Sequence, residues 1–166
     1  MSAADAAFKI LEELDRANVE YIVVGGMAGV LLGAPIVTAD VDIVHCRSAE
    51  NVARLTGVLR ALDAYARGDL SGRKLFPSAG HLSGRGHINL MTQLGPLDVL
   101  CEIGENLGYE QLLPDVELVA VRDLRLKVLS LPKLIEVKTA TGRAKDRLAI
   151  PILVAAFETR ARGKNG

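Results

Sequence analysis

Residues 22–44 read IVVGGMAGVLLGAPIVTADVDIV, and the order of the parts decides the fold. Residues 21–24 are a short, continuous apolar run of the kind found in a strand buried on both faces. Gly25-Gly26 ends it. Residues 27–32 predict a short helix, stopped by Gly33 and Pro35. A second apolar run at 41–46 predicts another strand, entered through Asp40-Val41-Asp42, and thirteen residues separate Gly26 from Asp40. Residues i and i+2 of a strand share a face, so Asp40 and Asp42 are expected to project together from an otherwise apolar backbone.

Two carboxylates so placed repel each other and resist burial, which predicts raised pKa values unless a cation joins them. Hard oxygen ligands suit Mg²⁺ or Mn²⁺, ions that also bring bound phosphates. A third carboxylate, Asp98, lies between Leu97 and Val99 in a later apolar run, and completes the set if its strand runs beside the Asp40–Asp42 strand. Gly25 and Gly26 let backbone N–H groups approach an anion at the start of the following helix. Taken singly, a Gly-Gly pair reads as a turn, an Asp-x-Asp pair as a solvated strand edge, and Asp98 as an ordinary hairpin residue. The ordered conjunction is more specific: phosphate and metal sites facing each other are the equipment for moving a nucleotide onto a hydroxyl.

Outward from this stretch, residues 5–17 carry a helical stripe (Ala6, Ile10, Leu11, Leu14, Ala17) closed by Asn18. Ser48 is an N-cap with Asn51 at N3 for an amphipathic helix over 49–62. Residues 66–86 are rich in Gly, Ser, Arg and Lys and read as loop, with one short strand at 74–76. Runs at 87–92 and 97–103, joined by a Gly-Pro turn, predict a β-hairpin. Residues 116–131 hold one or two further strands. Pro132 opens a helix to about residue 140, Gly142 interrupts it, and 144–161 is a final helix with Pro151 marking a kink or restart. The tail RARGKNG reads as polar and frayed. The expected fold class is α/β (α+β): a mixed, strongly twisted sheet with helices packed on it and helices at the C-terminus. Residues 1–166 read as a single domain.

Composition narrows the alternatives. Hydrophobic residues are 49% of 166 and aromatics only 4%, so the core must be aliphatic. Lys+Arg and Asp+Glu are each 20, a balance that neither demands nor excludes nucleic acid. Cys46 and Cys101 lie in apolar runs and read as reduced, buried thiols. No stretch has the length and apolarity of a membrane span, and the charged N-terminus lacks a signal peptide's apolar region. The expected location is the cytoplasm. His45 is expected to face away from the carboxylates, and His81 and His87 have no metal-ligand spacing.

The motifs IVVGG, TADVDIV and LDVL together resemble the nucleotidyltransferase superfamily typified by DNA polymerase beta. Among its members the chain looks most similar to the small prokaryotic AbiEii-like nucleotidyltransferase toxins, over about residues 18–150. Thr38 matches the Thr that precedes the Asp pair. LIEVKTATGRAKDRLAI matches a C-terminal Lys and Arg-x-Lys-Asp segment at Lys138, Arg143, Lys145 and Asp146. The resemblance implies that Asp40 and Asp42 hold Mg²⁺ or Mn²⁺, and that Asp98 binds metal and serves as general base. It implies that Gly25 and Gly26 shape the phosphate loop, and that Lys138 and Lys145 approach the triphosphate or orient the acidic residues. A solvated helix face is the alternative for Lys138 and Arg143, and pairing with Arg143 or Arg147 the alternative for Asp146.

One departure stands out: Ile36 occupies the position where those toxins carry Arg. Arg47, Arg73, Lys74 and Arg85 are candidate substitutes. Arg67, Arg73, Lys74 and Arg85 together read either as a basic lip for phosphates or as a solvated loop. The implied substrates are a nucleoside triphosphate and an acceptor hydroxyl on RNA, protein or a small molecule such as an aminoglycoside, with a separate antitoxin as partner. The alternative is a catalytically weak or inactive nucleotide- or partner-binding protein on the same fold.

Overall fold

Ser2 opens the first helix, α1 (Ala3–Arg16), with a reciprocal cap: its Oγ accepts from the Asp5 N–H while the Asp5 carboxylate accepts from the Ser2 N–H. In the computed structural model, which describes residues 1–68 and 70–164, α1 buries Ile10, Leu11 and Leu14 against the sheet. Each such side chain contributes about 1.5–3 kcal/mol by leaving water. Asn18 takes a left-handed conformation, φ 58°, and turns the chain into β1 (Tyr21–Val24), buried at all four positions. The helix α2 (Gly25–Leu31) follows with no intervening residue. It starts two positions before the expected one because Gly25, at φ 63°, makes the turn itself.

The chain then enters β2 (Val41–His45) and α3 (Ala49–Ala61), the latter capped by Ser48 Oγ accepting from the Asn51 N–H. Next come β3 (Tyr65–Ala66), α4 (Ala79–Ser83), β4 (His87–Thr92), β5 (Gly95–Leu100) and α5 (Tyr109–Leu112), and a 3₁₀ turn over Leu113–Asp115. A hairpin of β6 (Val116–Val121) and β7 (Leu124–Leu129) leads to α6 (Leu131–Thr141) and α7 (Ala144–Lys164). The strands form one mixed sheet in the order β3-β4-β5-β2-β1-β7-β6. β2 runs parallel to β5, β1 parallel to β7, and the other pairs are antiparallel. Helices flank this sheet over an aliphatic core. Among the described residues no helix is long and apolar enough to cross a membrane.

The fold class and element order match expectation, with local corrections. The strand expected at 74–76 is instead β3 at Tyr65–Ala66; residue 75 only offers its carbonyl to the Ala66 N–H. The stretch read as loop contains α4, whose cap is the Ser78 hydroxyl. The fifth strand stops at Leu100, and Ile103 pairs with Leu107 in an isolated bridge. Gly95-Pro96 opens β5 and Gln93-Leu94 makes the hairpin turn. Pro151 neither breaks nor restarts α7; the break lies at Gly142, left-handed at φ 62°. The tail expected to fray is helical to Lys164, and residues 165–166 lie outside the described residues.

Candidate active site

Strand register gathers residues distant in sequence into one row. The Arg67 N–H donates to the Asn89 carbonyl at 2.8 Å. Asn89 pairs with Asp98, Asp98 with Asp42, and Asp42 with Val24, the residue before Gly25. Parallel pairing puts Asp42 and Asp98 directly side by side on one face. Asp40 does not lie in the strand as expected; it immediately precedes β2. Thr38 steadies it there, its Oγ1 accepting from the Asp40 N–H at 3.2 Å. Asp40 still stands close enough to Asp42 for its charge to be felt there.

The electrostatics carry the expected signature at Asp42. Burial pushes the Asp42 carboxyl up to about 7, helped by a hydrogen bond with Asp98 and by the charges of Asp98 and Asp40, while Lys145 pulls it down. Asp42 is thus a carboxylate short of positive charge. The double glycine is shaped around it: a Cβ built on Gly25 would overlap Asp42 Oδ2, and one on Gly26 would come within 3.4 Å of the Thr38 Cβ. Only glycine lets the head of α2 lie this near the carboxylate.

Arg67 is the cation in direct contact. One of its terminal nitrogens donates to Asp98 Oδ1, and the other lies 4.0 Å from Asp40 Oδ2. Lys145, exposed on the first turn of α7, acts on Asp42 through its charge. Among the described residues no group of three or more His, Cys, Asp or Glu side chains is arranged as a ready metal cage. Asp42 and Asp98 engage each other, and Arg67 lies against Asp98 and Asp40. The donor set nevertheless fits a hard divalent ion: oxygen ligands only, buried and crowded enough to raise the Asp42 pKa, with the backbone of α2 adjacent.

The other candidates are committed elsewhere. The Lys138 ammonium bonds Asp146 at 3.3 Å, in a knot that also takes the Thr141 hydroxyl at 2.7 Å and the Arg143 guanidinium at 3.0 Å. Lys138 therefore orients Asp146 rather than Asp40, Asp42 or Asp98. Arg147 donates to the Gly142 carbonyl instead of pairing with Asp146. Arg47 bonds the Gly84 carbonyl and Glu102, and Arg85 bonds Glu102 and Asn106. Lys74 pairs with Asp63 and lies over the Tyr65 ring, while Arg73 turns onto Ser71. Of the residues read as a basic lip, Arg67 alone among the described residues is placed against these carboxylates, at Asp98 and Asp40. Ile36 packs against the core and touches the space beside Gly29, so its side chain is used for packing.

The three histidines do not meet. His45 is buried with Nε2 at 2.6 Å from the Leu82 carbonyl, and burial holds its pKa down. His81 Nδ1 accepts from the Ser78 N–H as part of the α4 cap, and His87 faces the Glu102 carbonyl. Both cysteines are buried and free. Asn89, whose side chain shares a face with Asp98, escaped sequence reading. Nothing in a lone Asn on a hairpin strand marks it; only the β4–β5 register does.

No protein-family model and no curated protein matches the chain. Solved structures do. A Thermotoga maritima protein assigned as a nucleotidyltransferase superposes with a TM-score of 0.56 at 16% identity, covering 89% of each chain. The lincosamide antibiotic adenylyltransferase LnuA, solved with lincomycin, gives 0.62 at 14% identity, covering 92% of this chain and 96% of its own. The antibiotic-resistance factor ANT(2'')-Ia gives 0.55 at 15% identity, covering 99% and 97%. The seven-stranded mixed sheet with its flanking helices is thus the nucleotidyltransferase fold.

Proposed function

We propose that the chain is a metal-dependent nucleotidyltransferase that moves a nucleoside monophosphate from a nucleoside triphosphate to an acceptor hydroxyl. The observation that carries this reading is the side-by-side pairing of Asp42 and Asp98, with Asp40 adjacent and Gly25 pressed against Asp42. Asp40, Asp42 and Asp98 would hold Mg²⁺ or Mn²⁺. When bound, the ion neutralises the triphosphate and makes pyrophosphate a better leaving group. Asp98 accepts the proton of the acceptor hydroxyl as its oxygen bonds to the α-phosphorus and the bond to pyrophosphate breaks. Gly25 and Gly26 line the phosphates with backbone, and Lys145 adds a positive charge on the same side. Thr38 keeps Asp40 in position. Residues 1–166 act as one domain in this reading.

The acceptor is an RNA end, a protein side chain or a small molecule. The likeness in fold to LnuA and ANT(2'')-Ia favours a small hydroxylated molecule. The Thr38-x-Asp40-x-Asp42 and Lys138 to Asp146 matches favour a macromolecule, with the chain acting as the toxin of a toxin–antitoxin pair. A binding-only protein is the second reading, and Ile36 favours it, because an apolar residue packed on the core cannot contact phosphate. Arg67 and Lys145, both on the carboxylate face, weigh against it.

The test is label transfer from each α-³²P nucleoside triphosphate, with Mg²⁺ or Mn²⁺, into RNA, protein and small-molecule fractions of a cell extract. Transfer lost in Asp42→Ala is the expected result, and the labelled fraction names the acceptor class. Equal labelling by wild type and a folded Asp42→Ala would sink the reading. Retained nucleotide binding without transfer would favour the binding protein.

A further inference from the structure

Arg67 makes a contact that the transfer chemistry does not require. Its backbone is fixed at the end of β3 by the bond to Asn89, so the side chain starts from a rigid strand edge. The side chain is 28% exposed, and its Nε is buried without a partner among the described residues. The terminal nitrogens are spent on Asp98 and Asp40, two of the three groups assigned to metal. A guanidinium donating to Asp98 Oδ1 and a divalent ion coordinated by that oxygen compete for the same lone pairs and the same space.

We propose that Arg67 is a resident counter-cation of this site: it neutralises Asp98 and Asp40 until a divalent ion displaces it, and so sets the affinity for the metal. The inference rests on the metal-site reading above. Its physical basis is that one guanidinium charge can occupy two carboxylates, leaving Asp42 undercharged, whereas an ion of twice the charge satisfies all three. The geometry has that form: Arg67 faces Asp98 and Asp40, while Asp42 sits beside Asp98 in the parallel register of β2 and β5. Arg67 is thus a positioning residue whose removal should strengthen metal binding, the opposite of what a ligand or a merely structural residue would do.

The experiment is titration of Mn²⁺ alone, without nucleotide, followed by the electron paramagnetic resonance of the free ion. Wild type, Arg67→Met, Arg67→Lys and the double variant Arg67→Met/Asp42→Asn are compared, with circular dichroism as the folding control. Arg67→Met should bind Mn²⁺ about tenfold tighter or more, given the strength of a charge at 4 Å. Arg67→Lys should fall between, keeping the charge but losing the two-pronged geometry, and it stands in if the Met variant does not fold. The double variant should lose the gain. Equal or weaker binding by both single variants, with binding abolished in the double variant, overturns the role of Arg67 and leaves the metal site standing. No Mn²⁺ binding in any folded variant overturns both. A gain that survives Asp42→Asn places the ion elsewhere and also overturns the inference.

Discussion

Gly25 answers to two constraints at once. Its φ of 63° belongs to the left-handed region, and the place a Cβ would occupy is already filled by the Asp42 carboxylate. Backbone strain alone makes Gly25→Ala cost about 1–2 kcal/mol, and the methyl group must also push Asp42 away from Asp98. Small displacements of reacting groups cost about a hundredfold in rate. The expected outcome is a modest fall in urea-melt stability with loss of most transfer activity. Gly33, at φ 92° with open space around it, is the comparison: Gly33→Ala should lose similar stability and keep its activity. Equal activity in both variants would mean that the contact with Asp42 has no functional weight. Arg67 belongs to the same scale, because its reach to Asp98 depends on one hydrogen bond that registers it beside Asn89.

Between elements, the join of α6 and α7 decides where Lys145 sits. Gly142 breaks the helix, and Asp146, 4% exposed, ties the two pieces by accepting from Lys138, Thr141 and Arg143. Burial alone would raise the Asp146 pKa, but these three donors outweigh it and hold the carboxyl below its usual value. A depressed folded-state pKa means the ionised group stabilises the fold above its unfolded value of 3.8, and that the stability drains away as pH falls through the lower, folded value. Asp146→Ala leaves the Lys138 ammonium, largely shielded from solvent, without this partner, at a cost of about 2–3 kcal/mol. The expected result is a lowered thermal midpoint at pH 7 whose gap from wild type closes as pH falls below 3.8, together with weaker nucleotide binding as Lys145 loses its anchor. A gap that does not change with pH would show that the ion pairs are not what joins the helices. The second such joint is Asn51 at the start of α3. It accepts from the Glu20 N–H at 2.7 Å and donates to the carbonyls of Glu20 and Cys46, so one buried amide clamps the entry of β1 to the exit of β2.

For the molecule as a whole, the acidic face is a cost that the core carries. The Asp42 pKa is raised from 3.8 to about 7, so the folded state holds a proton that the unfolded chain releases. The associated stability is complete below about pH 4 and is lost as pH rises through about 7. Three pH units set a ceiling of about 4 kcal/mol on this effect. Asp42→Asn should therefore raise the melting midpoint of metal-free protein at pH 8, match wild type near pH 4, and remove the stabilisation that Mn²⁺ gives wild type at pH 8. A variant less stable than wild type at pH 8 would mean that Asp42 is a structural partner and not a strained one. Much of this was legible from residue order. The Gly-Gly turn, the Asp pair, the apolar runs, the N-cap Ser48 and the first-turn Pro132 act within a few positions of themselves, where backbone sterics and side-chain periodicity rule, and so the element order and fold class could be read. Local readings failed where distant partners intervene: β3 exists because β4 lies beside it, and α7 continues through Pro151 to bury Leu153 and Ala156 in the core. The same division holds at the site. The three carboxylates of the candidate site, Asp40, Asp42 and Asp98, could be picked out from residue order. Only tertiary structure decided that parallel β2 and β5 set Asp42 beside Asp98, that Arg67 and none of Arg47, Arg73, Lys74 or Arg85 reaches those carboxylates, and that Lys138 turns to Asp146. Pairing between strands and the choice of an ion-pair partner depend on where the chain returns in space, which spacing along it does not encode.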